Sequence, residues 1–211
     1  MLGGVRPLLE VQGLTRRFDD LVVLDAVSFD LSGGQAVALT GPNGSGKTTL
    51  LRCVVGADIP DEGDVLFEGE HLAESDPDVR AAMACALDDA DFFAELSVVE
   101  HLELLARAHG VAEPGPVVEE VLSELDLRDQ RDQLPATLSS GQRRRFTLGA
   151  CLVRPRRLLV LDEPEQRLDV AGRAWLTEKL RDEKAEGCAI LLASHDPDLV
   201  EAVADTRIEL G

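Results

Sequence analysis

An α/β fold is predicted by three features of this 211-residue sequence. Residues 36–39 (Ala36-Val37-Ala38-Leu39) form a short apolar run that enters a glycine-rich loop, and residues 47–55 beyond it have helical composition, which together make a strand–loop–helix unit. Two later apolar runs, 158–161 and 189–193, are short and bounded by polar turns, the pattern of parallel strands buried on both faces. Between these lie charged, helix-forming stretches at 99–109 and 117–127.

Taken in order, Leu8-Leu9-Glu10-Val11 and Leu21-Val22-Val23-Leu24 alternate or cluster apolar residues between turn residues and read as strands of an N-terminal antiparallel layer. Residues 63–69 read as a further short strand. The character changes at Asp76-Pro77, so a mostly helical subdomain is placed at 73–157, inserted into a core formed by 1–72 and 158–211.

Bulk properties narrow the function classes. A content of 45% hydrophobic and 29% charged residues argues against a disordered chain. The net charge of -19 opposes attraction to nucleic-acid phosphates, and the basic triplet Arg143-Arg144-Arg145 sits at a helix start within that acidic chain, so nucleic acid is not an expected partner. Cys53, Cys85, Cys151 and Cys188 lack CxxC or Cys/His spacing, which points to small buried hydrophobes rather than disulfides or zinc ligands. No stretch approaches the ~20 apolar residues of a membrane span, and the N-terminus lacks the apolar centre of a secretory signal. A cytoplasmic location is the expectation.

The strongest chemical signal is Gly41-Pro42-Asn43-Gly44-Ser45-Gly46-Lys47-Thr48, followed by Thr49, a complete GxxxxGK(S/T) phosphate loop between a predicted strand and a predicted helix. Its glycines let successive backbone N–H groups face a polyphosphate, and the helix start adds positive potential. Lys47 is placed to reach the β- and γ-phosphates and Thr48 to ligate Mg²⁺. The fold is therefore specified further as a P-loop NTPase (RecA-like) core. Downstream, Leu158-Leu159-Val160-Leu161-Asp162-Glu163-Pro164 runs four apolar residues into two acids. Asp162 at the end of a buried strand suits the metal, and Glu163 one residue on suits the attacking water.

Leu138-Ser139-Ser140-Gly141-Gln142, between those two elements, resembles the LSGGQ signature of the ABC ATPases, and the resemblance extends over essentially the whole chain. It implies that ATP and Mg²⁺ bind at the phosphate loop and that Ser139, Gly141 and Gln142 of one cassette cover the γ-phosphate held by a second cassette, as a homodimer or heterodimer. It implies a separate transmembrane permease as partner, with the chain peripheral on the inner face of the membrane. Leu168-Asp169 resembles the dimer-contacting D-loop, His195 the switch histidine near the γ-phosphate, and Phe18 the aromatic that stacks on adenine, with core packing as the rival role for Phe18. Ser140 replaces the family's first signature glycine. Asp88 stands where the family has a glutamine that touches Mg²⁺ and links nucleotide state to the permease, and is read as a metal contact, with a solvated acidic loop of Asp88, Asp89 and Asp91 as the alternative. The expected function is thus to power a transporter by ATP-driven closure of two cassettes. The alternatives are a soluble ABC ATPase acting on ribosomes or DNA and a non-hydrolysing regulatory cassette. Because the chain ends soon after His195, without room for the C-terminal regulatory domain of many importer subunits, export is favoured.

Overall fold

Apolar residues that alternate in direction along four strands of a five-stranded parallel sheet create two cores, one on each face. The computed structural model describes residues 6–72, 76–87 and 92–211. In chain order its strands and helices are β1 (Leu9–Phe18), β2 (Leu21–Leu31), β3 (Ala36–Thr40), α1 (Lys47–Val54), β4 (Glu62–Phe67), β5 (Glu70–His71), α2 (Pro77–Ala82), β6 (Met83–Ala86), α3 (Val98–Ala108), α4 (Pro114–Glu124), α5 (Ser140–Leu152), β7 (Leu158–Asp162), α6 (Val170–Ala185), β8 (Ala189–Ala193), α7 (Pro197–Val203) and β9 (Thr206–Glu209). The parallel sheet runs β6-β7-β8-β3-β9, and an antiparallel sheet runs β2-β1-β4-β5.

Along β8, Ile190 and Leu192 face one core with α3–α7, while Leu191 and Ala193 face the other with α1 and the antiparallel sheet. Both faces being dry, the strand has no polar alternation, and this is why 189–193 reads as an unbroken apolar run. The β1–β2 hairpin is irregular, with register shifts between Val11 and Arg17, and Ala26 of β2 adopts a left-handed φ of 49°.

One boundary is corrected. Residues 83–86, assigned from sequence to the helical insertion, form β6, paired in parallel with β7. Met83-Ala84-Cys85-Ala86 is apolar but contains no β-branched residue and continues directly from α2, so its composition reads as more helix. Helix α5, which carries the signature at its start, therefore follows β6. Cys53, Cys151 and Cys188 are buried, whereas Cys85 is exposed on this edge strand, contrary to expectation.

Candidate active site

The carboxyl ends of three adjacent strands converge: β3 leads into the phosphate loop, β7 ends at Asp162, and β8, hydrogen-bonded between them, leads into Ser194 and His195. Crevices at such ends are where open parallel sheets bind ligands. Main-chain bonds lock the three exits together, with Glu163 N–H donating to the Ala193 carbonyl at 2.8 Å and Ser194 N–H to that of Leu39 at 3.3 Å.

The loop 41–46 is shaped by glycine. Gly41, Gly44 and Gly46 have φ of 138°, 83° and 94°, in the region L side chains avoid. A Cβ on Gly46 would lie 2.9 Å from Val23 and Leu24, so β2 packs directly on the loop. Helix α1 starts at Gly46 with no side-chain cap and no acid in its first turn, as does α4, whereas α3, α5 and α6 have side-chain caps. Its N–H groups are left for an anion. Lys47 is buried and donates to the carbonyls of Gly41 (2.9 Å) and Pro42 (3.0 Å). Asn43 and Gly44 are exposed, Thr49 is half-buried, and the buried Ser45 hydroxyl has no partner among the described residues.

Thr48 Oγ1 donates to Asp162 Oδ2 at 2.5 Å, which brings the predicted metal-binding hydroxyl and carboxylate together. A hydroxyl and a carboxylate are hard oxygen donors of the kind Mg²⁺ takes alongside phosphate oxygens and water, and no cluster of three or more acidic, His or Cys ligands exists among the described residues to form a closed protein cage. The residues present fit that metal. Next to them, His195 Nε2 lies 3.0 Å from Glu163 Oε1, and the amide of Gln166 donates to Glu163 Oε2. Glu163 itself has a left-handed φ of 46°. A cleft of about 300 Å³ opens here, lined by Thr48, Asp162, Glu163, Arg144, Gln166 and Arg167 among others. A larger cleft of about 540 Å³ lies elsewhere, but its principal charges are already paired, Arg157 with Glu68 and Arg156 with Glu183.

The signature residues lie in a second cleft, of about 340 Å³, lined by Ser139, Gly141, Gln142 and Arg145 and by no residue of the phosphate loop. Ser139 is the N-cap of α5: its hydroxyl accepts from Gln142 N–H, and the Gln142 amide oxygen accepts from Ser139 N–H at 2.9 Å. Each side chain of this capping box takes the other residue's main-chain N–H, and among the described residues the N–H groups of Ser140 and Gly141 have no side-chain acceptor. Ser140 occupies the first helical position with an ordinary backbone, so its replacement of glycine needs no special conformation. Asp169 caps α6, and its carboxylate is held below the usual range by the Gly172 N–H and by Arg145.

Phe18, at the end of β1, is 46% exposed, which removes core packing as its role; the Arg16 guanidinium lies 4.8 Å from its ring centre. Asp88, with its acidic neighbours Asp89 and Asp91, lies outside the described residues. Sequence reasoning missed Arg144. Its buried guanidinium donates to the carbonyls of Asp162 (2.5 Å), Glu163 (2.8 Å) and Pro164 (3.4 Å), tying α5 to the turn that carries both acids. Arg145 pairs with Asp126 and Asp169, so the triplet 143–145 is not a uniform basic face. Gln166 and Glu165 were missed as well, since a polar residue in a turn gives no sequence signal of what it touches.

Comparison with known proteins identifies the family. A family model described as ABC transporter matches residues 24–166. The SkfA peptide export ATP-binding protein SkfE of Bacillus subtilis is 34% identical over 203 residues, spanning 95% of this chain and 84% of that protein. The cytochrome c biogenesis ATP-binding export protein CcmA of Rhodobacter capsulatus is 41% identical, with 92% and 85% covered. The spermidine/putrescine import ATP-binding protein PotA of Pseudomonas aeruginosa is 37% identical over 90% of this chain, which spans only 53% of that protein. A solved ATP-binding subunit of an ABC transporter superposes with a TM-score of 0.88 at 31% identity, over 96% of this chain and 85% of the other.

Proposed function

We propose, from the premise that this chain belongs to the ABC transporter family and is one of its ATP-binding cassettes, that it drives export through a separate membrane permease by closing with a second cassette around two ATP molecules. Cassettes of this family are ATPases. The observation that carries the reading is the meeting of Thr48, Asp162, Glu163 and His195 at the ends of β3, β7 and β8.

In the proposed reaction a water oxygen attacks the γ-phosphorus of ATP while Glu163 accepts a proton from it. The bond from the γ-phosphorus to the oxygen bridging to the β-phosphate breaks, giving ADP and inorganic phosphate. Lys47 and the N–H groups of α1 offset the charge that develops on the phosphates. His195 and Gln166 orient the Glu163 carboxylate from its two sides. Thr48 and Asp162 would hold Mg²⁺, which when bound neutralises phosphate charge. Asp88 is carried as a further metal contact on sequence alone. Phe18, exposed at a hairpin whose second strand packs on the loop, is the proposed adenine platform.

Two observations support the rest. The cleft around Ser139 and Gly141 shares no residue with the phosphate loop, as a surface serving a partner's nucleotide would. Relatives named for export, SkfE and CcmA among them, are 34% and 41% identical to this chain. Among the described residues no helix is long and apolar enough to cross a membrane, so the reading assigns the membrane path to the permease. The test is Mg²⁺-dependent ATP turnover by the purified chain, with Lys47→Ala and Glu163→Gln. Lys47→Ala should lose most activity, and Glu163→Gln should bind ATP and accumulate a dimer on size-exclusion chromatography. Wild-type turnover by Lys47→Ala would remove the assigned site.

A further inference from the structure

Glu165 has no part in the scheme above, yet its side chain is buried, at 6% exposure, in the turn that follows Pro164. Burying a carboxylate is costly unless it is hydrogen-bonded, so the partners it takes are informative. Its Oε1 accepts from the Ser194 hydroxyl at 2.6 Å and from the His195 main-chain N–H at 3.1 Å. Ser194 Oγ accepts in turn from Asp196 N–H at 3.0 Å. Oε2 has no partner among the described residues. All the hydrogen bonds of this carboxylate thus go to the segment that carries His195.

The arrangement holds His195 at both ends. Glu163 meets its imidazole Nε2 at 3.0 Å, and Glu165, two residues further along the same turn, takes its main-chain N–H. We propose that Glu165 is a positioning residue for hydrolysis: it fixes the backbone of Ser194 and His195 against the turn 163–165, and so sets the approach of the imidazole to the Glu163 carboxylate. The proposal rests on the roles given above to Glu163 and His195. An apolar side chain of similar size would fill the same volume without placing the backbone, since it offers no acceptor to either donor. Because misplacement of a reacting group by a fraction of an ångström slows chemistry more than binding, the effect belongs in kcat and not in the affinity for ATP.

The experiment is a double-mutant cycle on the full chain, with Mg²⁺ and ATP, read as single-turnover rate and as KM. Glu165→Ala should lower the rate about tenfold, the equivalent of about one lost hydrogen bond in the transition state, and change KM by less than about twofold. Glu165→Gln keeps an acceptor oxygen for both donors and should recover most of that loss. In a His195→Ala background, adding Glu165→Ala should change the rate by less than about twofold, because the group being positioned is gone. An impaired His195→Ala with a full further tenfold loss in the double variant would overturn the role of Glu165 alone. So would a folded Glu165→Ala with an unchanged rate. A His195→Ala protein as fast as wild type would overturn the reading of His195 on which the proposal stands. Should Glu165→Ala fail to fold, Ser194→Ala, which removes one of the two donors, enters the same cycle with the same required coupling.

Discussion

Replacing Arg144 by Met tests whether the turn bearing Asp162 and Glu163 is held from the signature helix. The guanidinium makes two short bonds to carbonyls, at 2.5 and 2.8 Å, and a long one at 3.4 Å. Hydrogen bonds from a charged group contribute about 1.5–3 kcal/mol each, and the cost of burying the guanidinium offsets part of that, so the net loss expected is about 3 kcal/mol. For a chain of this length each kcal/mol lowers Tm by about 2–4 °C, which predicts a fall of roughly 9 °C by circular dichroism. Arg144→Lys keeps the charge but presents a compact ammonium instead of a fork, so it should recover only part of the difference. In both variants kcat should fall more than KM rises, since the carbonyls lost belong to the residues that carry the proposed base. An Arg144→Met protein melting within about 2 °C of wild type would refute the reasoning, because the three carbonyls would then need no donor.

The remaining predictions concern closure, metal and acid stability. In a Glu163→Gln background, Ser139→Arg should abolish the ATP-dependent dimer on size-exclusion chromatography, because bulk and charge then occupy the exposed N-cap of α5. Asp88→Asn and Asp88→Ala should raise the Mg²⁺ concentration for half-maximal turnover, Ala more than Asn; identical Mg²⁺ dependence in both would make Asp88 a bystander. The Asp169 carboxyl is held below its usual range by the Gly172 N–H and by Arg145, so its contribution to stability is present above the unfolded value of about 3.9 and is lost as pH falls through the folded one. Urea unfolding should therefore show Asp169→Asn less stable than wild type at neutral pH, with the gap narrowing in acid.

Much of this site was legible because each part has a local pattern. The phosphate loop is contiguous in sequence, and Asp162 ends, with Glu163 just beyond it, a strand whose two buried faces make it apolar up to that acid. Helix α3 was legible for the same reason: its bounds, Val98–Ala108, lie within one residue of the stretch read from composition. Strand β6 was not, because Met, Ala and Cys without a β-branched residue, following α2 with no turn between, read as a continuing helix. Arg144 was hidden in a charge run, since adjacent residues on a helix point about 100° apart and one member of a triplet can face inward while the others do not. Glu165 was hidden because its partners, Ser194 and His195, lie far along the chain.

The packing of Val23 and Leu24 against Gly46 joins the hairpin that bears Phe18 to the proposed phosphate loop. With no room for even a methyl group between them, the two behave as the fixed jaws of a calliper. With Phe18 and the loop in the roles proposed for them, such a calliper would gauge the span from base to terminal phosphate. The phenyl ring at its upper jaw carries no donor or acceptor with which to tell one purine from another. A site built this way sorts nucleotides by how many phosphates they carry, and should accept GTP where it rejects AMP.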